Sequence, residues 1–261
     1  MPHAIKLRAK YADQGLHVLL VESQGHKRDE VVPFMSQYWS GIVPMGVLGT
    51  NSPFSLPGNT LPKAGLVGVD GTLVWSGDGS NGCEKILEEQ LSKMHQVVPL
   101  EGPLKPLAKD LNARNLGKAA VAARVIVEKG ANDKAKTDAG TLVAHLTKTV
   151  DNRVGMAKRL LAAGRPLKAK LALQKLAKEV KDDKAWAERI AAEIKEIDGG
   201  SKDDLAADKK VMEAEEMAAE RKGRDGAITK LAEVIKKNSS SKIVTYAEEL
   251  KKALESKSAA R

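Results

Sequence analysis

The sequence predicts an α/β domain over residues 1–98, followed by an all-α region of helical hairpins over residues 99–261. Three observations carry this reading. Phe34, Trp39, Phe54 and Trp75 all lie before residue 80, whereas alanine, lysine and glutamate dominate after about residue 110, a shift in composition that marks a domain boundary. The stretch "NTLPKAGLVGVDGTLVWSG", residues 59–77, joins two short apolar runs through an Asp-Gly pair, the strongest short-range hairpin signal a sequence offers. From about residue 104 onward, apolar residues recur at steps of three and four, the period of a helix with one buried face.

The elements follow in order. "PHAIKLRAKYADQG" sets Ile5, Leu7 and Tyr11 near helical spacing and closes on Gly15, a helix stop. "LHVLLVES" is too short for a helix and rich in valine and leucine, so it predicts a buried strand. "KRDEVVPFMSQYW" steps through Val31, Phe34, Met35 and Tyr38 as a helix with Pro33 in its first turn, and a loop rich in Pro, Gly, Ser and Asn occupies about 49–62. The hairpin comes next. After it, "GSNGCEKILEEQLSKM" predicts a helix capped by Ser80 or Asn81, with Glu84 in the first turn and Ile86, Leu87 and Leu91 on one face.

In the second region "PLKAKLALQKLAKEVKDD" places Leu167, Leu171, Leu176 and Val180 on one stripe, and "KAWAERIAAEIKEI" continues with Trp186, Ile190, Ile194 and Ile197. This pair recurs. "GAITKLAEVIKKN" aligns with "LALQKLAKEVKDD" through the shared Lys-Leu-Ala at 175–177 and 230–232, and "TYAEELKKAL" aligns with "AWAERIAAEI", matching Trp186 to Tyr246, Ile190 to Leu250 and Ile194 to Leu254. A weaker copy lies in residues 117–150. The pattern resembles tandem helical hairpins of tetratricopeptide-like kind, which bury one face and offer another for contact. Between the copies, "DDLAADKKVMEAEEMAAERKGR" is polar around most of its circumference and predicts an exposed helix or connector.

The order helix, strand, helix, hairpin, helix, with a proline ahead of the hairpin, resembles the thioredoxin-like fold and most closely its TlpA-type redoxin branch. "MPHAIKLRAKYADQGLHVLLVES" is similar to the family's first active-site helix and following strand, and "LPKAGLVGVDGTLVW" to its cis-proline loop and hairpin. The resemblance covers residues 1–95 or so, and it implies that Pro62 is the cis-proline and that Leu61 and Pro62 form the substrate-binding loop, where the backbone of a protein substrate would pair as an added strand. Family members carry C-x-x-C at the junction of their first strand and first helix. Here that strand and both cysteines would precede Met1, so the domain is expected to be incomplete, with no catalytic residue in this chain. What the resemblance implies for the complete form is thiol-disulfide exchange on protein substrates outside the cytoplasm. The alternative is a non-catalytic protein-interaction module that keeps a degenerate domain of this kind as scaffold and binds a partner through its helical hairpins.

Composition bounds the remaining classes. The formal net charge is +9, but 26 Lys and Arg stand against 20 Asp and Glu in residues 151–261, leaving 17 against 14 before them, so no basic arm for nucleic acid is present. No apolar run reaches the ~18 residues of a membrane span. Cys83 is the single cysteine, which excludes an internal disulfide and a C-x-x-C pair. It stands near a helix start, where a thiol is activated, but it has no resolving partner and reads as a small half-buried side chain. His3, His17, His26, His95 and His145 show no metal-ligand spacing, so no metal site and no cofactor are expected. "GDGSNG" lacks the Lys-Ser/Thr ending of a phosphate loop and reads as a turn. Trp186 and Tyr246, at matching places in two repeats, are expected in the core.

Overall fold

The computed structural model describes residues 2–22, 45–47, 63–69, 71–78, 82–130, 132–219, 223–239 and 241–255. The predicted helix at 27–39, the loop at 49–62 and the Ser80 and Asn81 caps lie outside them. Contacts group the chain into two units, one of Met1–Lys85, Ala163–Arg165 and Asp203–Arg261, the other of Ile86–Ala162 and Pro166–Lys202.

In the first unit, α1 spans Pro2–Tyr11 and tightens into a 3-10 turn over Ala12–Gln14, stopped at Gly15 as the sequence predicts. β1 is Leu20–Glu22 and pairs in parallel with β2, Met45–Val47, in the register Leu20 to Met45. β3, Lys63–Val67, and β4, Leu73–Asp78, form the antiparallel hairpin, with a register shift at Leu66/Val67. Its turn is closed by the Gly68 amide donating to the Thr72 carbonyl at 2.8 Å and the Gly71 amide donating to the Gly68 carbonyl at 3.0 Å.

These strands correct the expected fold class. A thioredoxin-like α/β domain needs one sheet wide enough for helices to cover its faces. Here the described strands form two separate two-stranded sheets, and the described chain is plainly mostly helical. The apolar run at 16–22 is not a continuously buried strand either: only three residues pair, and Leu19 is 69% exposed. Val67, Val69 and Leu73 on the hairpin are exposed as well. Leu66, Val74 and Trp75 are half-buried and none of the hairpin's described side chains is fully buried, so it contributes little core.

Helices supply the cores. α2 is Glu84–Lys93, with Leu87 and Leu91 buried and Ile86 half-buried. In the second unit a 3-10 turn at Gly102–Leu104 leads into α3, Leu107–Asn112, α4, Leu116–Lys129, α5, Asp133–Ala162, α6, Pro166–Val180, and α7, Lys184–Asp198. α4 packs on α5, α5 on α6 and α6 on α7. α4 turns Leu116, Ala119, Ala120 and Ala123 inward, and these small side chains let a neighbour approach closely. Gly117 shows how closely: a Cβ there would stand 2.5 Å from the Val180 carbonyl oxygen, so only glycine fits. α5 contributes Leu142 and Leu146, each fully buried and worth about 2–3 kcal/mol against exposure.

The α6 stripe differs from the prediction by half its members. Ala169, Leu173, Leu176 and Val180 are buried, whereas Leu167 is half-buried and Leu171 is 45% exposed. Leucines occur on both sides of this helix, and the inner stripe is the one that includes an alanine. In α7, Trp186, Ile190 and Ile197 are buried and Ile194 is half-buried.

The carboxyl-terminal helices of the first unit are α8, Lys202–Ala219, α9, Arg224–Lys237, and α10, Ile243–Glu255. Their core joins Ala207, Val211 and Ala214 of α8 to Ala227, Leu231 and Val234 of α9 and to Ile243, Ala247, Leu250 and Leu254 of α10. The expectation of an exposed connector at α8 is therefore corrected. Its apolar face is narrow, but it is fully used, and Asp208 beside it is also buried.

Candidate functional site

Leu61 and Pro62, the substrate-binding loop implied by the resemblance, lie outside the described residues. The side chains that carry chemistry elsewhere fall into three groups, of which the first has one clasp in each unit and the other two each lie within one unit.

The first group is a pair of clasps on the repeated hairpins. Asp183 precedes α7 and caps it, accepting from the Trp186 amide at 3.1 Å. The same carboxylate pairs with Arg124 of α4, whose guanidinium lies 5.1 Å from the Trp186 ring centroid. Tyr246 of α10 has the equivalent neighbour in Arg165, 4.4 Å from its ring centroid. Arg165 is 2% exposed. Its Nε donates to Asp208 Oδ1 at 2.6 Å, and its two terminal nitrogens donate to the two oxygens of Glu215, each at 2.9 Å. The Tyr246 hydroxyl donates to Glu215 Oε1 at 2.6 Å. Burial opposes the charge on Arg165, but the hydrogen bonds and charge of Glu215 and Asp208 outweigh it and hold the guanidinium protonated. Burial, then the Glu215 charge, pushes the Tyr246 phenol up, so it stays a donor. Gly164, beside Arg165, has φ +73°, and a Cβ there would stand 2.5 Å from the Ile243 amide nitrogen. Both aromatics are thus structural, as their matched places in the repeat predict.

The second group lies in the unit of Ile86–Ala162 and Pro166–Lys202. Glu179, at the end of α6, is shared by Arg114, at 3.1 Å, and Arg153, at 2.6 Å. Nearby, His95 is 1% exposed and its Nδ1 lies 3.4 Å from His145 Nε2. Burial, then the charges of Arg114, His145 and Arg153, push the His95 pKa down to about 4, and burial followed by Lys148 lowers His145. Both rings are neutral at pH 7. The other nitrogen of His95, Nε2, is buried without a hydrogen-bond partner.

The third group joins residues that sequence spacing keeps apart. His3 sits in the first turn of α1, Cys83 immediately before α2, and Glu84 at its first position. Their ligand atoms, His3 nitrogen, Cys83 Sγ and a Glu84 carboxylate oxygen, lie within 4.8 Å of one another. His3 Nε2 is 3.0 Å from Glu84 Oε1, and the Gly82 amide donates to Glu84 Oε2 at 3.1 Å. Burial, then the Glu84 charge, raises the Cys83 thiol, so Cys83 is not the activated thiolate that a helix start would favour. The spacing of the histidines alone carries no trace of this cluster; the adjacent Cys83-Glu84 pair is its only local signal. Among the described residues, no helix is long and apolar enough to cross a membrane.

No protein-family model, curated protein or solved structure matches this chain.

Proposed function

We propose that the helical hairpins form a protein-interaction module. The observation that supports this reading is the repetition itself: α6–α7 buries Leu176, Trp186 and Ile190 where α9–α10 buries Leu231 and Leu250 and half-buries Tyr246, and in each case an arginine from outside the hairpin, Arg124 or Arg165, lies over the aromatic ring. Repeated hairpins that bury one face against neighbours present the other as contact surface. α4 exposes Val121 and Val125 one turn apart, and α6 exposes Leu171. Thiol-disulfide exchange rested on the fold resemblance alone and is not carried forward, because the described strands do not form that fold.

Selection of displayed peptides against the full chain, with counter-selection on the V121D/V125D double variant, tests this function. The expected result is a set of apolar peptides that bind the parent at least tenfold more tightly than the variant, with helical circular dichroism unchanged. Peptides that bind both proteins equally, or no enrichment at all, would overturn the reading.

A further inference from the structure

We propose that His3, Cys83 and Glu84 form a Zn²⁺ site with three protein ligands and one open position. Two segments eighty residues apart in the chain bring one nitrogen, one sulfur and one oxygen donor within 4.8 Å of one another, and both segments belong to the same unit. Among the described residues, these are the three metal-ligating side chains that converge this closely. The His3–Glu84 contact is at ion-pair distance but outside hydrogen-bond geometry, an arrangement that a shared ion would satisfy. His3 Nε2 is sealed from water and lies 3.0 Å from Glu84 Oε1, yet it makes no hydrogen bond. A buried ring nitrogen left in that state costs free energy, and a cation between the two atoms removes the cost. Glu84 is already oriented, because the Gly82 amide holds its other oxygen and leaves Oε1 turned to the cluster.

The donor set selects the ion. Mixed imidazole, thiolate and carboxylate ligands suit borderline Zn²⁺ better than the oxygen-seeking Mg²⁺ or Ca²⁺. Zn–N and Zn–O bonds of about 2.0–2.2 Å and a Zn–S bond of about 2.3 Å put tetrahedral ligand atoms roughly 3.3–3.7 Å apart, within reach of small side-chain rotations here. On binding, the thiol of Cys83 loses its proton to solvent as the Zn–S bond forms. The two anionic ligands then neutralise the ion, and water fills the fourth position, as in zinc sites that keep a place for an exchangeable ligand.

Co²⁺ is the probe for the full chain. One equivalent is expected to give a thiolate-to-cobalt charge-transfer band that Zn²⁺ displaces, with release of one proton per ion and a rise in Tm. Cys83→Ser should lose the band and the Tm rise, and His3→Gln should weaken Zn²⁺ at least tenfold in competition with a chromophoric chelator. Circular dichroism of both variants checks that the fold is kept, and His3→Ala serves if His3→Gln is misfolded. Absence of the band in the parent chain, or Cys83→Ser binding Zn²⁺ as tightly as the parent, would overturn the site.

Discussion

Each of the two clasped hairpins receives an arginine from outside it over its aromatic ring, but the two differ in how far that arginine is removed from water. Arg124 is 39% exposed and meets one carboxylate, Asp183, which also caps α7. Arg165 is 2% exposed and meets two carboxylates and a phenol. The aromatic residue accounts for part of the difference. Tyr246 carries a hydroxyl that reaches Glu215 and ties ring, carboxylate and guanidinium into one network, whereas Trp186 offers its side chain only as a surface for Arg124 to lie on. Equivalent positions in a sequence repeat therefore do not carry equivalent energies. What decides the energy is how much water each charge has given up.

Removing Arg165 is the most severe test of that contrast. Arg165→Ala leaves Asp208 and Glu215 without their cation in a dry site and is expected to cost about 3–5 kcal/mol, read by urea denaturation followed at the helical circular dichroism signal. Arg165→Lys should recover only part of it, because an ammonium cannot reproduce the fork to Glu215. A loss of about 2 kcal/mol or less would put the two clasps on the same footing.

Acid probes the unit with the more open clasp through a different group. The His95 pKa is depressed in the folded protein, to about 4 from an ordinary 6.5. Between those values the unfolded chain binds the proton and the folded one does not, so stability falls as pH drops from about 6.5 towards 4 and levels off below it. The full loss is about 3 kcal/mol. Denaturation midpoints at pH 7.5, 5.5 and 4 should show it. His95→Leu should flatten the profile, and an unchanged profile in that variant would place the acid sensitivity elsewhere.

Arg124→Ala has the smallest expected effect, about 2 kcal/mol: the Asp183 carboxylate is buried, but the guanidinium is already partly hydrated and Asp183 keeps its hydrogen bond from the Trp186 amide. The same urea experiment reads it. A cost matching that of Arg165→Ala would end the distinction between a sealed and an open clasp.

Local signals were legible where one stretch of chain decides the outcome. The helix ending at Gly15, the Asp-Gly hairpin, Leu87 and Leu91 on α2, and Trp186 and Ile190 on α7 all follow from spacing and turn chemistry. Signals failed where a distant partner decides. Leucine at 167 and 171 fits helical spacing as well as Ala169 and Leu173 do, and only the neighbouring helices choose between the faces. The polar look of α8 hid Asp208, which turns inward because Arg165 waits there. Strand pairing was the largest loss. An apolar run states that it can be a strand but not which strand it will join, so the expected single sheet gave way to a three-residue parallel pair and a separate hairpin. The candidate metal cluster depends on two segments meeting, which no spacing rule over one segment reports.

The seam of α5 has a consequence for any redesign of this chain. Its buried residues, Ala135, Ala139, Leu142, Leu146, Val150, Val154 and Ala157, advance 22 positions in six steps, close to the roughly 3.67-residue spacing of an 11-residue repeat. Such a stripe runs nearly straight along the helix, with a slight right-handed drift. A heptad stripe drifts by about 20° per seven residues in the opposite sense, so over the four heptads that fit in α5 it would swing roughly 80° away. A coiled-coil helix transplanted into this position would keep its grip at one end and lose it at the other, although its hydrophobicity and its length of about 45 Å could match those of α5.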